Sequence, residues 1–126
     1  MARSRGFTLI EMMMVVVIIG ILVTVLIPRF ANTKEKALVT TMKSDLRNLA
    51  AAEEAYYYDY ASYTTALAGM PTYQPSPSVS VTVNQATVGG WSATASSNGT
   101  VRQCFLFVGS ASPIGAATQE GQSACK

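Results

Sequence analysis

Few side chains in this chain of 126 residues could do chemistry, and they stand far apart. There is no histidine, and the two cysteines, Cys104 and Cys125, are too distant in sequence for a C-x-x-C redox motif or a zinc pattern. Beyond Asp59 the only acidic side chain is Glu120, so a hydroxyl or thiol nucleophile would have no base. An enzyme is therefore not expected, nor any cofactor or metal. The simplest use of the cysteines is a disulfide, closing a loop of about 20 residues for roughly 3 kcal/mol. It would tie down a Gly/Ser/Ala-rich segment that cannot order itself, and it implies an oxidising compartment. Only Arg102 and Lys126 are basic after residue 60, too few for a nucleic-acid patch.

One ionisable group lies in an unusual place. Phe7 to Ile27 contains Glu11 and otherwise no charge, and about 21 residues of helix measure roughly 31 Å, enough to cross a bilayer core. A carboxylate within such a span costs about 2.5–3.5 kcal/mol at the centre and less near an end, so Glu11 needs a partner. A secretory signal would end in a small-residue cleavage site, but the far end reads Leu26-Ile27-Pro28-Arg29-Phe30. The small residue, Gly6, instead precedes the apolar run and follows the basic Met1–Arg5. The apolar segment is thus expected to be retained.

Gly6-Phe7-Thr8-Leu9-Ile10-Glu11, with Ile18-Ile19-Gly20-Ile21-Leu22 and Pro28, resembles the N-terminus of type IV prepilins. The resemblance is close from Gly6 to about Tyr60 and architectural beyond; Met12-Met13-Met14 departs from the usual aliphatic pattern. It implies that a prepilin peptidase cuts between Gly6 and Phe7 and that Phe7 becomes N-methylated. It implies a role in assembly for Glu11, through a neighbouring subunit's amine, against the local alternative of its own helix terminus or amine. The family's helix-weakening positions fall on Gly20 and Pro28. Five of the seven residues between them are β-branched, which weakens helix propensity further. A kink is expected in the isolated subunit and partial melting in a filament.

These groups must be positioned by the remaining elements. After Pro28, Leu38/Val39, Met42, Leu46, Leu49 and Tyr56 recur at helical spacing, with Lys36, Lys43, Asp45, Arg47 and Glu53 expected at the sides. The helix should end near Tyr60, since Gly69 and Pro71 forbid continuation. Tyr56, Tyr57, Tyr58, Tyr60 and Tyr63 read as packing at the junction of helix and sheet, with aromatic charge transport the sharper alternative. Met70 through Ser78 reads as an exposed loop. Val79–Val83 alternates as a half-buried strand, and Trp91–Ser97 and Thr100–Val108 flank Asn98-Gly99, a hairpin signal because both residues tolerate positive φ.

The expected fold is α+β: a long N-terminal helix, half membrane-spanning and half amphipathic, packed on a small antiparallel sheet, as in the type IV pilin fold. The expected parts are a cleaved leader at 1–6 and a transmembrane or filament-core helix at 7–30. The head would occupy 31–126, including the helix 31–60, the sheet 79–108 and a C-terminal disulfide loop. The side chains give a net charge of +2; loss of Arg3 and Arg5 leaves 2 − 2 = 0, a near-neutral surface suited to lateral packing. Basic residues after the span outnumber those before it, against the positive-inside tendency, but the cysteines and the resemblance both place the leader in the cytoplasm.

The resemblance implies a major type IV pilus subunit, held in the inner membrane as a single-pass protein with a periplasmic head and then polymerised into an extracellular filament. Its partners would be copies of itself, the peptidase and methyltransferase, and the pilus assembly platform. Adhesion, twitching motility, DNA uptake and electron transfer all remain open as uses. The alternative is a type II secretion pseudopilin or a minor pilin; pseudopilins usually carry a calcium site of clustered acidic residues.

Overall fold

A computed structural model describes residues 6–126, with the side chains of Pro28 and Ala31 left aside. One helix, α1 (Leu9–Tyr60), runs without interruption through Gly20 and Pro28. The chain divides into two compact units, the first ending at Lys34 and the second comprising Glu35–Lys126.

The part of α1 in the first unit is long and apolar enough to cross a membrane. Its side chains from Leu9 to Ile27 are exposed on every face, as expected of a helix whose surroundings are apolar. The one hydroxyl between Leu9 and Ile27, on Thr24, donates back to the Ile21 carbonyl at 2.7 Å. That bond removes the main penalty for a polar group in lipid.

In the second unit α1 lies on a four-stranded antiparallel sheet in the order β1-β2-β3-β4, comprising β1 (Ser80–Ala86), β2 (Gly90–Ser96), β3 (Gln103–Gly109) and β4 (Ala124–Cys125). Met42, Leu46, Leu49 and Ala52 form the inward stripe of the helix, packed with Val81, Val83, Trp91, Ala93, Ala95, Cys104 and Leu106. The alanines of β2 are small where the helix approaches. Burial of each large side chain contributes about 1.5–3 kcal/mol. The opposite face of β3 presents Phe105 and Phe107, covered by Ala111 and Ala117 of the segment that leads to β4. This is the α+β arrangement of the type IV pilin fold.

Several details differ from the sequence expectation. Asp45 and Glu53 are not at the sides but are 3% and 0% exposed. The Asp45 carboxylate accepts from the Ser76 N–H and hydroxyl at 2.9 and 3.0 Å. Glu53 Oε2 accepts from the Thr64 N–H at 3.1 Å. Each acid anchors a segment that has no regular ladder of its own. The stretch from Met70 to Ser78 is accordingly not wholly exposed, since Met70 and Tyr73 are buried in the core.

The β2–β3 connection does turn at Asn98-Gly99, with the Thr100 N–H donating to the Ser97 carbonyl at 3.3 Å. Neither residue has positive φ, and the strands pair only as far as Ser96 and Gln103. The nearest neighbour of Gly99 is the Leu38 side chain: a Cβ at Gly99 would lie 2.6 Å from Leu38 Cδ1, so that methyl would have to shift to admit it. β1 carries an irregularity between Val83 and Gln85, where the Asn84 side chain accepts from the Thr94 hydroxyl at 2.8 Å. The short β4, paired to β3 through Cys104↔Cys125 and Phe105↔Ala124, has no counterpart in the expected sheet. Too few residues alternate there to leave a periodic signal.

Candidate functional site

The N-terminal segment gathers the sequence-predicted positions Gly6, Phe7, Glu11, Gly20 and Pro28 in one unit. The leader residues Met1–Arg5 lie outside the described residues. Gly6, Phe7 and Thr8 precede the helix in non-helical, exposed backbone, and Phe7 is 81% exposed. The Gly6–Phe7 peptide bond is thus not protected by helical hydrogen bonds. A Cβ at Gly6 would meet no atom within 4 Å. Any demand for glycine there comes from outside the chain, for example from an enzyme that binds the segment closely.

Glu11 sits in the first turn of α1 and is bonded locally. Its Oε2 accepts from the Thr8 N–H at 2.7 Å and from the Thr8 hydroxyl at 2.8 Å. In return Thr8 Oγ1 accepts from the Glu11 N–H at 3.3 Å. This reciprocal arrangement is a capping box, which satisfies orphan donors at the helix start and places a negative charge at the positive end of the helix. Thr8 is the residue that sequence reasoning missed, although Thr-x-x-Glu before an apolar run was the available signal. Both of its groups lie on the C-terminal side of the Gly6–Phe7 bond, so a cut there would leave the cap intact. Oε1 makes no hydrogen bond among the described residues and is open to a second donor.

Gly20 and Pro28 lie farther along the same helix. A Cβ at Gly20 would have open space around it, so no packing within the subunit requires glycine there. Pro28 lacks a backbone N–H, which leaves the carbonyl one turn earlier without its helical donor.

The cysteines come together in the second unit. Cys104 and Cys125 are directly opposed on β3 and β4, with Cα atoms 4.0 Å apart, and are joined as a disulfide. The bond fastens the chain end to the core. At the other edge of the same unit the tyrosines form two stacks, Tyr56 with Tyr60 at 4.4 Å and Tyr57 with Tyr63 at 4.8 Å between ring centroids. The Tyr63 hydroxyl donates to Glu54 at 3.0 Å; partial burial and that negative neighbour push its phenol pKa up. Among the described residues no group of three or more His, Cys, Asp or Glu side chains is placed to hold a metal ion.

Comparison with known proteins centres on the same segment. Residues 1–27 match the family model described as the prokaryotic N-terminal methylation motif. The chain is 40% identical over 78 residues to the type II secretion system core protein G of Klebsiella pneumoniae, covering 62% of this chain and 56% of that protein. It is 40% identical over 81 residues to the protein of the same name from Pseudomonas aeruginosa, covering 60% of this chain and 57% of the relative. It is also 39% identical over 62 residues to the type IV major pilin protein PilA of Myxococcus xanthus, covering 49% of this chain and 28% of that protein. The chain spans about half the length of the secretion-system relatives it matches.

Proposed function

From a methylation motif at residues 1–27 joined to the pilin fold, we propose that the protein is the major structural subunit of a type IV pilus. It is stored in the inner membrane through the apolar part of α1, with the second unit on the periplasmic side, and polymerised into an extracellular filament. The observation that carries this reading is the exposed, non-helical Gly6-Phe7 link set immediately before a capped helix that is apolar on all faces. Such a helix is equally at home in lipid and against copies of itself, so transfer from membrane to fibre exchanges one apolar setting for another.

A prepilin peptidase cuts between Gly6 and Phe7, and the new amine of Phe7 is methylated. The free Oε1 of Glu11 receives the Phe7 amine of a neighbouring subunit while Oε2 stays in the cap. Pairing a charge that enters an apolar core offsets its desolvation only when the geometry is close. Between Gly20 and Pro28, where a donor is missing and β-branched residues are dense, neighbours in the fibre shield the backbone and the helix extends.

The second reading is a pseudopilus subunit of type II secretion, favoured by the names of the 40%-identical relatives. Deleting the gene separates the two. Loss of surface fibres with protein secretion intact supports the pilus; loss of secretion with fibres intact supports the pseudopilus. Both readings require Gly6→Val to accumulate uncut precursor and Glu11→Ala to be cut normally yet enter filaments poorly. Normal piliation by the Glu11→Ala chain would remove the role given to that residue.

A further inference from the structure

In the second unit almost every carboxylate is already engaged. Glu35 pairs with Arg102 at 2.8 Å, Asp45 holds Ser76, Glu53 holds Thr64, Glu54 accepts from Tyr63, and Glu120 accepts from the Gly109 N–H at 2.7 Å. Asp59 alone is exposed and without a hydrogen-bond or ion-pair partner among the described residues. It stands in the last turn of α1, which contains no basic residue. The free carbonyls at that end carry partial negative charge, so the site is unfavourable for a carboxylate unless a cation comes from elsewhere. Beside it Tyr58 is 89% exposed, outside both tyrosine stacks. The end of the helix therefore offers an unpaired anion next to an uncovered ring.

The complementary surface is on the same unit. Lys43 and Arg47, one helical turn apart, flank a cleft of about 360 Å³ whose apolar wall includes Ala50, Leu106 and Val108. Neither cation makes an ion pair among the described residues. The volume lies at the lower end of the roughly 300–1,000 Å³ typical of ligand sites and suits one aromatic side chain. Asp59 cannot fill its own cleft, because the twelve residues of helix from Arg47 hold it about 18 Å away along the axis.

We infer that Tyr58-Asp59 of one copy docks in the Lys43/Arg47 cleft of a second copy, the ring against Ala50, Leu106 and Val108 and the carboxylate between the two cations. The contacting patches are different surfaces of one chain, so the contact is heterologous and propagates into an open helical array. The inference rests on the filament reading and gives its heads a specific lateral contact. Charge complementarity also sets the register in which copies meet.

The test uses the full chain expressed with its peptidase, with filaments sheared, pelleted and quantified. Asp59→Arg, and separately Lys43→Glu with Arg47→Glu, should each lower filament yield by about tenfold or more, since like charges then face each other. Asp59→Arg complements the helix terminus, so Trp91 fluorescence should show its head as well folded as the wild type. Combining all three substitutions should restore at least half of the wild-type yield. Wild-type yield from the single reversals, or no recovery in the combination, would overturn the contact. A wild-type chain that makes no filament would instead overturn the filament reading and this contact with it.

Discussion

Replacing Cys125 by alanine probes how the chain end is held. The disulfide joins residues 21 apart, and closing a loop of that length lowers the entropy of the unfolded chain by the equivalent of about 3 kcal/mol at 25 °C. What would remain is modest: the two-residue pairing of β4 with β3, two backbone bonds between Gln103 and Lys126, each 3.0 Å, the Gly121 N–H to the Phe107 carbonyl at 2.9 Å, and the Gly109 N–H to Glu120. The same segment covers Phe105 and Phe107, each 6% exposed, so its detachment would uncover both rings. Trp91, the only tryptophan and fully buried, reports unfolding of this unit. Urea titration of the full chain in mild detergent should show the Cys125→Ala midpoint lowered by about 1.5 M, for a slope of about 2 kcal/mol/M. Wild-type protein kept reduced should follow the same curve. A midpoint within about 0.3 M of the oxidised wild type would refute the claim that the bond carries this segment.

Two further outcomes follow from buried or strained positions. Burial pushes the Glu53 carboxyl above its ordinary value of 4.5, so the folded chain binds more protons than the unfolded chain between 4.5 and the raised value. This contribution to stability is complete below pH 4.5 and is lost as pH rises through the folded value; urea midpoints should show that component in wild type and lose it in Glu53→Gln. Ala61 ends α1 at φ 54°, its N–H donating to the Tyr57 carbonyl at 2.8 Å. A left-handed alanine costs roughly 1–2 kcal/mol, part of which glycine returns as chain entropy, so Ala61→Gly should stabilise the unit by about 0.5–1 kcal/mol in the same titration.

The long helix and the sheet were legible because their signals are local. The apolar run from Phe7 to Ile27, the Met42-Leu46-Leu49 spacing, and the alternation at Val81 and Val83 each follow from one element's own periodicity. Asp45 and Glu53 were misplaced for the opposite reason: their burial depends on donors at Ser76 and Thr64, which are remote in sequence, and hydrophobic patterning is blind to such partners. Asn98-Gly99 marked a turn but not its geometry: neither residue takes positive φ, and the nearest neighbour of Gly99 is Leu38 of α1, remote in sequence. Thr8 was overlooked although its signal was local. An acid in an apolar span directs attention to distant cations, and the partner lay three residues away.

The central claim is that the N-terminal helix, freed at Phe7, builds the filament, and a cryo-EM map of the assembled fibre measures it most directly. The map should show chains that begin at Phe7, the apolar part of α1 in the core, Glu11 within hydrogen-bond distance of a neighbour's amine, and helical bonding lost between Gly20 and Pro28. A fibre whose core is formed by the β-sheet units, or whose chains retain Met1 at the N-terminus, would contradict the claim.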